Sequence, residues 1–110
     1  METTQAVTAL GALAHQSRLS IFRLLVEAGP AGMAAGAIGE KLKLPPATLS
    51  FHLANLAHAG LVISRQDGRF VIYSTDFSNM NALVAFLTEN CCGGRSCKPA
   101  TTRKRERSPA

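Results

Sequence analysis

Apolar residues recur at helical spacing over most of the first 60 positions. In Thr4–Ala14, Ala6, Val7, Leu10 and Leu13 put apolar groups on most sides, so the predicted helix needs burial on more than one face, as against a second subunit. A second helix is predicted over Gln16–Ala28. Leu19, Phe22, Leu25 and Val26 form its stripe, Ile21 and Leu24 widen it, and Gly29-Pro30 ends it. Ile38 and Leu42, four apart, mark a short helix over Ala34–Lys43 that Leu44-Pro45 closes. Pro46 suits the first position of the next helix, Pro46–Ala59, which Gly60 caps. There Leu49, Leu53 and Leu56 face inward, leaving Thr48, Ser50, Phe51, His52 and Asn55 outward or at the flanks.

The pattern then turns β-rich. Leu61–Gln66 and Arg69–Ser74 flank Asp67-Gly68, a dipeptide that predicts a two-residue hairpin loop of type I′. A last helix is predicted over Asn79–Asn90 with Ser78 as N-cap. Met80, Leu83, Val84 and Leu87 line one side, and Ala82, Ala85 and Phe86 make a second side apolar. The fold class is therefore mainly α with a β-hairpin wing, a winged helix-turn-helix. Its second core helix can enter the major groove of DNA while the wing lies along the backbone or minor groove.

Composition refines this in two places. At 110 residues, 46% hydrophobic and 17% charged, the chain holds one domain with a buried core. Residues 1–90 form that DNA-binding and dimerisation domain, 91–97 a cysteine segment, and 98–110 a basic tail with the composition of disorder. The tail carries most of the +5 net charge, so the charge of the domain alone does not demand a nucleic-acid partner. No apolar run reaches the ~20 residues of a membrane span, and the first residues lack a basic leader. The expectation is a cytoplasmic protein with no membrane contact.

From Leu44 to Ser64 no Lys, Arg, Asp or Glu occurs. Base edges would fall to Thr48, Ser50, His52 and Asn55, with Phe51 beside them on the same surface. Phosphates would fall to Lys41 and Lys43, to Arg65 and Arg69 on the wing, and to the helix N-terminus at Ala47. His52 is expected on the DNA face and His58 on the surface; the same polar residues would equally suit a solvated face.

Three segments narrow the choice: RLSIFRLL at Arg18–Leu25, TLSFHLANLAHAGLV at Thr48–Val62 and DGRFVIYS at Asp67–Ser74. Through them, Ala14–Thr75 resembles the ArsR/SmtB family of metal- and metalloid-responsive repressors. The resemblance implies a homodimer formed by the first and last helices, bound to double-stranded operator DNA and weakened on it by an inducer.

The inducer must come from the site. In that family the arsenical prototype carries cysteines where this chain has AAGAIGEKLK, zinc sensors use Asp and His pairs on the last helix, and redox sensors pair a second-helix cysteine with one near the last. None of these sets is present. The three cysteines are Cys91, Cys92 and Cys97, in ENCCGGRSC. This segment resembles the C-terminal three-cysteine sites of some arsenic-responsive repressors. As(III), with its lone pair, is satisfied by three soft thiolates, whereas structural zinc takes four ligands. Gly93-Gly94 allows the chain to reverse, and Arg95 and Lys98 favour thiolates. The expectation is a repressor of an arsenic-resistance operon, with As(III) or Sb(III) as inducer and no required cofactor. The alternative is a repressor sensing a soft divalent metal or oxidants through the same thiols. No catalytic function is expected. Cys97 and Arg103 match the spacing of an oxyanion-cradling Cys-x5-Arg loop, but no strand precedes the segment and no helical pattern follows.

Overall fold

The computed structural model describes residues 1–94; Cys97, Arg95 and the 98–110 tail lie outside the described residues. Among the described residues, five α-helices and three strands follow in order: α1 (Thr3–Leu13), α2 (Gln16–Ala28), β1 (Met33–Ala34), α3 (Ala35–Leu42), α4 (Pro46–His58), β2 (Val62–Asp67), β3 (Phe70–Thr75) and α5 (Phe77–Leu87). The expected winged helix-turn-helix is the observed fold.

The inward stripes meet as the periodicity demands. Ile21 and Leu25 of α2, Ile38 of α3, Leu53 and Leu56 of α4, and Leu61 and Val62 leading into β2 are fully buried. Ala6 and Ala9 of α1, Phe22, Leu49 and Leu83 complete the cluster. Burying each large side chain contributes roughly 1.5–3 kcal/mol. Because α2 touches α1, α3, α4 and β3, it is the hub that fixes the reading unit against the rest.

Four local features differ from the sequence reading. Strand β1 pairs antiparallel with β3 through Met33–Tyr73 and Ala34–Ile72, which gives a three-stranded sheet ordered β1-β3-β2. At two residues it is too short to carry a period. Gly32 leads into it at φ 72°, and a Cβ there would collide with the Tyr73 carbonyl, so the close approach of β1 to β3 requires glycine. The hairpin loop is Gly68-Arg69, because Asp67 still pairs with Phe70. Only the first of its two central residues, Gly68 at φ 63°, is left-handed, the requirement of a II′ turn instead of I′. Finally, α5 starts earlier and ends earlier than expected. The Asp76 side chain, not Ser78, accepts the Asn79 amide at 3.0 Å, and Met80 N–H already bonds the Asp76 carbonyl at 2.9 Å.

Candidate DNA-reading face and thiol cluster

The turn between α3 and α4 is three residues long, the length that sets two helices at a steep angle. Lys43 ends α3 in the left-handed region at φ 58°, with Leu44 N–H bonding the Gly39 carbonyl at 2.9 Å. Pro45 then precedes α4 with extended backbone and Pro46 opens it, so no amide is wasted at the first position.

On α4, Leu49, Leu53 and Leu56 are buried. At about 100° per residue, the ridge opposite them is Ala47, Phe51, Ala54 and His58. All four are exposed, Phe51 at 63%. Thr48 and Ser50 are exposed on the two flanks. Asn55 is half-buried beside Thr48, and its Nδ2 donates to the Phe51 carbonyl at 3.0 Å, which leaves Oδ1 as its acceptor toward a base. The free amides of the first turn, at Ala47 and Thr48, point out of the N-terminal end.

His52 corrects the sequence reading. Only 6% exposed, it faces inward and not toward a groove. The Arg18 guanidinium of α2 donates from Nε to the Ala12 carbonyl at 2.7 Å and from Nη1 to His52 Nδ1 at 3.3 Å. The His15 ring lies 4.7 Å away, centroid to centroid, while its own Nδ1 accepts the Ser17 amide at the start of α2. Arginine has no acceptor, so His52 is the neutral tautomer with its proton on Nε2. Burial, then His15, then the Arg18 charge push its pKa below the ordinary 6.5. Arg18 and His15 are thus positioning residues that the pattern missed. The available signal was a cation on an otherwise apolar helix stripe.

The other cations predicted to meet phosphate lie on the elements before and after this helix. Lys41 and Lys43 are exposed at the end of α3, and Arg69 is exposed at the wing tip. Arg65 of β2 is also exposed, but its Nη2 donates to the Ala31 carbonyl at 2.8 Å. That bond anchors the wing to the chain ahead of β1 while leaving four guanidinium N–H groups for other partners. His58 is on the surface, as expected.

Beyond α5, Thr88 caps the helix and the chain turns sharply, with positive φ at Asn90, Cys92, Gly93 and Gly94. Cys91 and Cys92 are exposed there, and their sulfurs are 3.7 Å apart. Cys91 is a free thiol, whereas Cys92 is disulfide-bonded. The third expected ligand, Cys97, lies outside the described residues.

Comparison with known proteins fits this geometry. Residues 13–65 match the family model described as a helix-turn-helix domain. The HTH-type transcriptional regulator YgaV of Escherichia coli is 33% identical over 80% of this chain and 87% of its own length. The chain belongs to the ArsR-like winged helix-turn-helix regulators. The transcriptional activator HlyU of Vibrio cholerae is 30% identical over 82% of this chain and 81% of its own. An ArsR-like transcriptional regulator from Rhodococcus superposes with a TM-score of 0.68 at 25% identity, covering 76% of each chain. The solution structure of a homodimeric winged helix-turn-helix DNA-binding domain from Mycobacterium bovis has a TM-score of 0.63 at 26% identity, over 87% of this ArsR-like chain and 89% of that one. These relatives are transcriptional regulators and not enzymes. Among the described residues of this one, no helix is long and apolar enough to cross a membrane.

Proposed function

We propose that this ArsR-like regulator is a homodimeric repressor of an arsenic-resistance operon. It leaves operator DNA when As(III), or Sb(III), binds the thiolates of Cys91, Cys92 and Cys97. The observation that carries the reading is the placement of two adjacent, exposed cysteines, Cys91 and Cys92, just past the end of α5. Three thiolates satisfy As(III) without a fourth ligand, whereas structural zinc takes four. The binding form is the reduced one, so the Cys92 disulfide must first be opened by a thiol or phosphine reductant. Lys41, Lys43, Arg65, Arg69 and the Ala47 amide hold phosphates, while Thr48, Ser50, Phe51 and Asn55 meet base edges. Helix α5 packs beside α1, and exposed Val7, Leu10, Val84 and Leu87 on these two helices are the surface for a second subunit. Closing three sulfurs on one centre tethers the end of α5 and shifts that interface, with the coupling of ~1–3 kcal/mol usual for such switches.

The test uses full-length reduced protein and a fluorescent duplex enriched by that protein from a random pool, followed by anisotropy at fixed salt. Arsenite is expected to weaken binding by about 5–150-fold, with little response to zinc. Cys97→Ser should bind DNA normally and fail to release; release of that variant by arsenite overturns the three-thiolate reading. The disulfide at Cys92 favours one second reading, an oxidant-sensing switch. Release by diamide with no response to arsenite would establish it. A reporter gene behind the enriched duplex distinguishes repression from activation.

A further inference from the structure

The ridge of α4 that projects furthest from the core carries two alanines and a phenylalanine, not hydrogen-bonding groups. Ala47, Phe51 and Ala54 lie along it, and its first polar member is His58 at the C-terminal end. The polar side chains sit on the flanks, where Asn55 has already committed Nδ2 to the helix. Phe51 is 63% exposed, and its ring stands edge-on to the buried His52 ring at a centroid distance of 5.7 Å. His52 is in turn held by Arg18. A large apolar side chain is therefore presented to solvent near the middle of the helix expected in the groove.

In the major groove only one base-edge group is apolar, the C5-methyl of thymine. Resting on the DNA-binding reading above, we infer that Phe51, flanked by Ala47 and Ala54, determines specificity by packing against a thymine methyl in each half-site. The occupant is DNA instead of a protein because the ridge belongs to the second helix of the helix-turn-helix, with exposed Lys41 and Lys43 at the preceding turn and exposed Arg65 and Arg69 on the wing. Discrimination at the centre of the half-site is then by burial of a methyl group, while Thr48, Ser50 and Asn55 hydrogen-bond at its edges.

The experiment enriches a duplex from a random pool with the full-length protein and replaces each thymine singly by deoxyuridine, which removes the methyl and nothing else. One position per half-site should lose about fourfold in affinity, the effect of one methyl-sized apolar contact. Phe51→Ala should bind the thymine and uracil duplexes equally, and Phe51→Leu, which keeps an apolar group, should retain part of the difference. Tolerance of uracil at every position, or a thymine preference that survives in Phe51→Ala, overturns the inference while leaving DNA binding intact. Unchanged DNA affinity in Phe51→Ala also overturns it. Failure to enrich any sequence removes the DNA-binding reading and this inference together.

Discussion

Thr75 buries a hydroxyl that no protein group among the described residues answers. It lies at the end of β3, paired with Val62 and 2% exposed, and its Oγ1 has no partner. A buried polar atom without a hydrogen bond costs about 1–3 kcal/mol of desolvation. Valine has the same shape without the hydroxyl. Thr75→Val is therefore expected to stabilise the fold by about 1 kcal/mol, raising the thermal midpoint by roughly 4–8 °C at fixed protein concentration. A lowered midpoint would mean that the hydroxyl has a partner such as a bound water. Lys43 illustrates the opposite compromise. Its left-handed backbone at φ 58° is a position that favours glycine, but the lysine places a cation beside the N-terminus of the reading helix.

At the scale of elements, Arg18 ties the end of α1 to α4 through α2, using one guanidinium for two acceptors. This contact sets a pH dependence whose sign follows from His52. Neutral in the fold and shifted below its ordinary 6.5 by burial, His15 and Arg18, His52 binds a proton more readily unfolded than folded. Its contribution to stability is complete above about pH 6.5 and is lost as pH falls below that value. Urea midpoints measured from pH 7.5 to 5 should fall, and the slope should flatten in His52→Gln, which can still accept from Arg18. An unchanged slope in that variant would remove His52 from the account. The same residue shows where the sequence was misleading. Position 52 lies on the Leu49–Leu53–Leu56 side of the wheel, so periodicity alone favoured burial, but a polar identity suggested the surface. Long stripes made α2 and α4 legible, and β-rich runs made the wing legible. The two-residue β1, the Asp76 cap and the II′ loop were hidden because each depends on pairing or on one backbone angle. Of the candidate site, the exposed Thr48, Ser50 and Phe51 could be read from spacing; the Arg18 bridge spans 34 residues and could not.

At the scale of the molecule, Val7, Leu10, Val84 and Leu87 leave a broad apolar surface on α1 and α5. Such a surface is typical of a subunit interface. Replacing Leu10 and Val84 together by glutamate should give a monomer by sedimentation, with its helix content retained. DNA affinity should fall by at least tenfold, because two reading helices one helical turn apart then bind independently. A dimer that persists would place the interface elsewhere. The charge-free surface of α4 bears on how such a protein finds its target. The cations proposed to hold phosphate, Lys41, Lys43, Arg65 and Arg69, lie outside α4, so on that reading capture by any stretch of duplex engages them while the apolar ridge gains nothing from a mismatched groove. On the thymine-methyl inference, the molecule would scan along DNA through these cations and dwell longest where the floor of the groove also offers methyl groups. Raising the ionic strength would then shorten its stay at every site without changing the rank order of the sites it prefers.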